Sequence, residues 1–237
     1  MNISLTEAQR RRIQAVWEYV GVPPSLVHAT LDNYQPGCDQ QEKALGKCRR
    51  YAERGLENIA RGRGLVLKGP VGTGKSHLSV ATVRAMMAAH PDRFGKPFSS
   101  YRVLEDVEYP GFRCSFIPVY DLLERLRQSY SSRGRKTDHA QLVHRCKVDD
   151  VVILDDMGAE KRTEWVEEQL YGLIDFRYRS RRSTFFTTNC SLTELEERIG
   201  KRAMSRIAET CDFVRVGGDD WRKTHRPGGE PCGSIPK

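Results

Sequence analysis

The stretch that decides the fold is Gly69-Pro70-Val71-Gly72-Thr73-Gly74-Lys75-Ser76. It contains two glycines separated by four residues and followed by Lys and Ser, which is the phosphate-loop pattern. In such a loop the glycines let backbone N–H groups point at phosphate oxygens, and the N-terminus of the next helix adds positive partial charge. This chemistry needs a strand before the loop and a helix after it.

The sequence on both sides of the loop meets that requirement. Leu65-Val66-Leu67 is a short apolar run typical of a buried strand, and residues 76–89 are predicted to form a helix that Pro91 stops. Because a Gly-rich turn alone does not require both flanks, the strand and the helix favour a phosphate site over an ordinary turn.

The loop predicts which atoms bind a nucleotide. We expect the backbone of residues 69–77, which ends at His77, to surround the phosphates, and Lys75 to reach the β- and γ-phosphates. The Ser76 hydroxyl is expected to ligate Mg²⁺. The cofactors predicted from this stretch are therefore ATP and Mg²⁺.

A second acidic motif follows the run Val151-Val152-Ile153-Leu154, which is typical of a strand buried on both faces. The strand ends in Asp155 and Asp156, the arrangement of a Walker B motif. We expect Asp155 to hold the Mg²⁺ shell through water and Asp156 to polarise the attacking water as a general base. Many ATPases carry the longer Glu at the second position, so Asp here predicts slower turnover.

A third polar position follows the predicted strand 184–187, which leads into Thr188 and Asn189. A polar side chain at the tip of a strand next to the phosphate loop can hydrogen-bond the γ-phosphate or the attacking water. We therefore predict that Asn189 belongs to the catalytic site. The alternative is that Asn189 is a turn residue.

Strands and helices alternate along the chain, which predicts an α/β fold with a parallel sheet. Further strands are expected at 115–119 and 213–216, and one continuous helix at 41–60. We divide the chain into a short N-terminal helical leader (1–35), an ATPase domain (36–222) and a flexible Gly/Pro-rich tail (223–237). Residues 90–113, rich in Pro, Gly and charge, are expected to form a long surface insertion.

Composition excludes several classes of protein. No apolar run approaches the roughly 20 residues that cross a bilayer, and the first 12 residues lack the apolar centre of a signal peptide. Seven cysteines, an odd number without a Cys-x-x-Cys pair, indicate reduced thiols in a cytoplasmic protein. The net charge of +8 favours a polyanionic partner.

Four motifs together resemble one family: Gly-Pro-Val-Gly-Thr-Gly-Lys-Ser-His-Leu, Ile-Leu-Asp-Asp-Met-Gly-Ala-Glu, Phe-Phe-Thr-Thr-Asn and Arg-Ala-Met-Ser-Arg-Ile. Their succession over residues 28–222 looks like the DnaC-type helicase loaders and the related IstB-like transposition ATPases, in the initiator clade of AAA+ ATPases. The resemblance implies a three-layer P-loop NTPase of AAA+ type with a central parallel five-stranded sheet. A C-terminal helical lid, present in many AAA+ proteins, is not expected here.

The resemblance also implies roles for particular residues. Asn189 matches the sensor-1 position of the family. Arg206 matches the arginine finger, which acts on ATP held by the next subunit, and Arg202 is the less favoured candidate for that role. Self-association through the ATP site, into a ring or a helical oligomer, follows from such a finger.

The family inserts a helical element that binds single-stranded DNA, and residues 122–147 match it. This stretch contains the basic residues Arg125, Arg127, Arg133, Arg135, Lys136, Arg145 and Lys147. Such a ribbon suits phosphate binding. We predict DNA contacts at Tyr130, Arg133, Arg135 and Lys136, where Tyr130 stacks on a base. The alternative is a solvated charged face.

The sequence therefore predicts an ATP-binding and ATP-hydrolysing replication protein that loads or remodels a replicative DNA helicase on single-stranded DNA. An IstB-like ATPase that assists a transposase in selecting target DNA has the same predicted site and differs only in its partner. A small-molecule kinase is less favoured, because its reaction would not explain the acidic pair Asp155 and Asp156 or the arginine near the end of the chain, Arg206. An ATP-binding DNA scaffold without useful turnover also stays open.

Overall fold

The structure is a computed structural model that describes residues 6–7, 20–90, 113–131 and 136–224. Most of the predicted insertion 90–113 and most of the predicted tail 223–237 lie outside these ranges. No helix in the described ranges combines the length and the apolar character needed to cross a membrane.

Five parallel strands form a single sheet in the order β2-β3-β4-β1-β5. Their bounds are β1 Gly64–Lys68, β2 Cys114–Pro118, β3 Val151–Asp155, β4 Ser183–Thr188 and β5 Cys211–Arg215. All five strands were predicted from the sequence. Because the strands are parallel and adjacent, the carboxyl ends of β3, β4 and β1 meet at one edge of the sheet.

Helices cover both faces of this sheet. Their bounds are α1 Asp39–Glu53, α2 Gly55–Ala60, α3 Lys75–Ala89, α4 Val119–Ser131, α5 Lys136–Val148, α6 Glu164–Arg179, α7 Leu192–Ile199, α8 Lys201–Thr210 and α9 Trp221–Thr224, with a short 3₁₀ helix at Pro24–Leu26. The α4–α5 pair lies between β2 and β3 and contains most of the basic stretch 122–147. After β5 the described residues form one further helix, the four-residue α9.

Alternation along the strands produces two separate hydrophobic layers. Leu65 and Leu67 of β1 pack with α1 and α3, whereas Val66 packs with the helices α4 to α8 on the other face. All three side chains are at most 1% exposed, and fully burying such a side chain stabilises the fold by about 1.5–3 kcal/mol. The predicted three-layer α/β architecture is confirmed.

The single helix predicted at 41–60 is wrong, because the chain breaks between α1 and α2. Arg54 leaves helical geometry, with φ of −100° and ψ of 22°. The Asn58 side chain donates to the Tyr51 carbonyl at 3.1 Å, which satisfies one acceptor at the end of α1. A Cβ at Gly55 would lie 2.8 Å from Met86 Cγ, so the break lets the backbone pack closely on α3.

Residues 20–34 pack on the same layer as α1 and α3. Val20, Ala29, Leu31 and Tyr34 are buried in that layer, and Arg84 of α3 donates to the Val27 carbonyl. The division of the chain at residue 35 stays a prediction, but part of the predicted leader contributes to the core of the ATPase domain.

Candidate functional site

The phosphate loop, residues 69–76, connects β1 to α3 and is enclosed by two other chain segments. Gly72 has φ of +74°, and a Cβ there would lie 1.6 Å from Asp220 Oδ1. Gly74 has φ of +89°, and its Cβ would lie 2.5 Å from Tyr34 Cε2. L side chains rarely adopt such φ values. These two glycines are therefore required both by the conformation of the loop and by its close neighbours.

Lys75 is the first residue of α3 and is only 7% exposed. Its Nζ donates to the Pro70 carbonyl at 2.6 Å. Burial lowers the pKa of Lys75, and the nearby carboxylates of Asp156 and Asp155 oppose that shift. The ammonium group thus lies within the loop and close to both predicted acidic residues.

Asp155 ends β3 beside the start of α3. It forms a hydrogen bond with the Ser76 hydroxyl and accepts one from Thr187 Oγ1 at 2.7 Å. Burial raises the pKa of Asp155, and these two hydrogen bonds act against that rise. A hydroxyl and a carboxylate are the hard oxygen ligands that Mg²⁺ takes together with water and phosphate oxygens. The donor set therefore fits the ion predicted here.

Asp156 lies at the first position after β3 with φ of +57°, a conformation that Asp adopts more readily than most residues. Its N–H donates to Thr187 Oγ1 at 2.8 Å. Asn189 Nδ2 donates to Asp156 Oδ1 at 2.8 Å. The structure thus brings two predicted catalytic residues into contact at the ends of two adjacent strands.

A cavity of about 560 Å³ lies over this edge of the sheet. The predicted residues that line it are Val71, Gly72, Thr73, Gly74, Lys75, Ser76, His77, Asp155, Asp156 and Asn189. Residues 69 and 70 lie at the start of the loop, where the Pro70 carbonyl accepts from Lys75 and from Thr73. The predicted nucleotide, metal and water-activating residues therefore surround one cavity.

Several further lining residues were missed by the sequence analysis, among them Tyr34, Trp221 and Arg222. Tyr34 Oη donates to the Thr73 carbonyl at 2.9 Å, and the Trp221 N–H donates to the Gly72 carbonyl at 3.0 Å. Arg222 lines the cavity and adds a second cation near Lys75. Arg222 could have been suggested by its position, as a basic residue shortly after the fifth strand. No local sequence pattern marks Tyr34.

His77 lines the cavity but is held by the N-terminal segment. Its Nε2 lies 3.0 Å from the Thr30 carbonyl, and its ring centroid lies 5.5 Å from that of Tyr34. Burial lowers the pKa of His77. Its side chain therefore links α3 to residues 30–34 beside the phosphate loop.

Arg206, the predicted arginine finger, is absent from the described residues that line this cavity. It lies on α8, where its Nε donates to Asp175 Oδ1 at 2.7 Å and one terminal nitrogen donates to Tyr171 Oη at 3.2 Å. A further N–H reaches the Arg202 carbonyl at 3.0 Å. The Arg206 side chain keeps 25% of its surface exposed. Its role as an arginine finger stays a prediction.

The predicted DNA contacts are only partly described. Arg133 and Arg135 lie outside the described residues, and Tyr130 and Lys136 lie in α4 and α5 with side chains that are not described. Three other basic side chains of the stretch interact within the chain: Arg145 with Asp149, Lys147 with the Phe176 ring, and Arg127 with the Trp165 ring. The DNA contacts stay predictions.

Comparisons with known proteins show what this chain is similar to. The replicative helicase loader DnaC of Escherichia coli (strain K12) is 24% identical over 201 residues, which cover 85% of this chain and 71% of that one. A crystal structure of the DnaC helicase loader has a TM-score of 0.66 at 28% identity, and the match covers 82% of this chain and 99% of that one.

A crystal structure of DnaI has a TM-score of 0.61 at 21% identity, covers 86% of this chain and 98% of that one, and shares the fold. These neighbours confirm the predicted P-loop fold of AAA+ type. A family model described as IstB-like ATP binding protein matches residues 5–228. The chain therefore belongs to the family of IstB-like ATP-binding proteins.

Proposed function

We propose that this protein is an ATP-driven loader of a replicative DNA helicase, which hydrolyses ATP as a switch and acts on single-stranded DNA in the cytoplasm. The observation that carries the proposal is the contact of Asp156 with Asn189 beside Lys75, in one cavity of the phosphate loop. The similarity to the DnaC helicase loader supports the choice of partner.

In the proposed reaction, Lys75 and Arg222 bind the phosphates from two sides of the cavity. Lys75 exchanges the Pro70 carbonyl for a phosphate oxygen, which is a stronger, charge-assisted acceptor. Asp156 accepts a proton from the attacking water, and Asn189 holds the Asp156 carboxylate in place until the γ-phosphate competes for its amide. Ser76 and Asp155 hold Mg²⁺, which neutralises charge on the phosphate oxygens when it is bound.

The role proposed for Arg206 is to stabilise the transition state in a neighbouring copy. Its guanidinium is held on α6 by Asp175 and Tyr171, and part of it stays exposed at the surface. An arginine supplied in trans stabilises the charge that develops on the phosphate oxygens in the transition state. ATP between two copies then stabilises their contact, and hydrolysis weakens it.

The test is capture of partners by the purified protein, with and without ATP. Asp156→Asn is used to trap the ATP-bound state. We expect the host's replicative helicase to be captured in an ATP-dependent manner, and Lys75→Ala to abolish capture. Capture of a transposase with no helicase would contradict the loader and favour target-DNA selection.

A further inference from the structure

We propose that Thr187 is a positioning residue that sets both acidic side chains of the ATP site and thereby the preference of the site for Mg²⁺-bound nucleotide. The inference rests on the proposed Mg²⁺ site at Ser76 and Asp155. Thr187 lies in β4, between the strand that carries the acidic pair and the strand that precedes the phosphate loop.

A single hydroxyl connects both acidic residues. Thr187 Oγ1 donates its one hydrogen to Asp155 Oδ1 at 2.7 Å, and its oxygen accepts the Asp156 N–H at 2.8 Å. Neither bond can run in the opposite direction, because an ionised carboxylate only accepts and a backbone N–H only donates. Thr187 is 1% exposed and lies at the wall of the nucleotide cavity.

The backbone of Thr187 holds the same turn. Its carbonyl accepts the Met157 N–H at 2.8 Å. The turn needs this support, because Asp156 has φ of +57°, and such a conformation costs on the order of 1 kcal/mol or more in a non-Gly residue. Asp is one methylene shorter than Glu, so the position of its carboxylate depends directly on this backbone.

The hydroxyl also restricts the carboxylate that faces the loop. Asp155 forms side-chain hydrogen bonds with both Thr187 and Ser76. Both bonds lower the pKa of Asp155 and so act against burial, which raises it. Groups that orient a metal-binding side chain typically change metal affinity by about 10- to 100-fold when they are removed. Loss of the Thr187 hydroxyl should therefore weaken Mg²⁺-dependent binding more than binding of the bare nucleotide.

The next residue in the strand is a matched control. Thr188 is also buried, and its hydroxyl donates to the Met157 carbonyl at 2.7 Å and accepts the Cys190 N–H at 3.1 Å. It therefore binds the same turn without touching Asp155 or the Asp156 N–H. A purely structural effect of losing a buried hydroxyl should appear in both variants.

The experiment measures the affinity of a fluorescent, slowly hydrolysed ATP analogue at saturating Mg²⁺ and in excess EDTA. The ratio of the two affinities is the readout, together with the melting temperature. We expect Thr187→Val to lower the ratio about tenfold, and Thr187→Ser, which keeps the hydroxyl, to stay within about twofold of the wild type. Thr188→Val should lower the melting temperature and leave the ratio unchanged.

Two results would overturn the inference. One is an affinity ratio in Thr187→Val equal to that of the wild type, and the other is a ratio in Thr188→Val lowered as much as in Thr187→Val. If Thr187→Val does not fold, Thr187→Ala has the same expected ratio and serves in its place. A wild-type protein that binds the analogue equally well with and without Mg²⁺ would overturn the proposed Mg²⁺ site itself, and the inference with it.

Discussion

The nucleotide cavity and the surface around Arg206 are built in different ways. In the cavity, the ends of two parallel strands and the start of one helix of the same chain supply Lys75, Asp155, Asp156 and Asn189, which contact one another or their immediate neighbours. Arg206 lies on α8 and is held by side chains of α6, away from that cavity. One region brings the predicted nucleotide-binding residues to a single cavity, and the other holds an arginine that does not line that cavity.

This difference shows what each region requires. The cavity needs only the fold of one chain, because parallel strands bring their carboxyl ends to one edge of the sheet. In the proposed function, Arg206 acts on ATP that is bound to a second copy of the chain. In the isolated chain, its guanidinium instead lies over the Tyr171 ring at 5.0 Å and pairs with Asp175. We therefore propose that one chain suffices for ATP binding and that ATP turnover requires two.

The largest expected effect separates the two regions. Arg206→Ala should lower ATP turnover about a thousandfold at protein concentrations that permit assembly, because it removes charge stabilisation in trans. Nucleotide affinity should stay unchanged, since Arg206 does not line the cavity. Turnover and binding are measured on the same preparation.

Arg179→Ala is the matched control for Arg206→Ala. Arg179 is exposed and pairs with the other oxygen of Asp175 at 2.9 Å. This variant should keep most of the turnover. An equal loss of turnover in both variants would indicate that the ion pairs of Asp175 act structurally. It would contradict a role for Arg206 in catalysis.

A smaller effect is expected within the cavity. Asp156→Asn should lower turnover about a hundredfold, because the general base is lost while the shape of the side chain is kept. ATP affinity should remain close to that of the wild type. Asp212→Asn, which changes an exposed carboxylate paired with Arg63, serves as a control. Turnover that survives in Asp156→Asn would rule out Asp156 as the base.

The smallest effect tests whether the N-terminal segment belongs to the cavity. Tyr34→Phe removes the hydrogen bond to the Thr73 carbonyl, worth about 1 kcal/mol, so nucleotide affinity should fall by up to about fivefold. Tyr51→Phe is the control, because the Tyr51 hydroxyl is also buried but binds the Arg63 carbonyl and Ser183 instead. Tyr51→Phe should lower the free energy of unfolding by about 1 kcal/mol without changing nucleotide affinity. An equal loss of affinity in both variants would contradict a specific role for Tyr34.

The sequence predicts the parts of the site that depend on local chemistry. A phosphate loop, an acidic pair after an apolar strand and a polar strand end each carry their own pattern, so the sequence alone predicts Lys75, Asp155 and Asn189. The order of strands then brings them together, because Asp155 and Asn189 stand at the carboxyl ends of adjacent strands and Lys75 starts the helix that follows the next strand, β1. The α/β class follows from the same alternation of strands and helices.

Contacts between distant segments could not be predicted in this way. Tyr34 and Thr73 are 39 positions apart and Arg206 and Asp175 are 31 apart, and nothing in their local sequence marks the pairing. Thr187 resembles any β-branched strand residue until its hydroxyl is seen between two acidic residues. The break at Arg54 likewise depends on the packing of Gly55 against Met86, which is a tertiary contact.

The central claim is that ATP turnover needs two copies of the chain, and mixing two inactive variants tests it most directly. Lys75→Ala lacks a working phosphate loop but keeps Arg206, and Arg206→Ala has the opposite defect. We expect each variant alone to hydrolyse almost no ATP and a mixture to recover turnover well above the sum of the two. A mixture no more active than that sum would contradict a site shared between two chains.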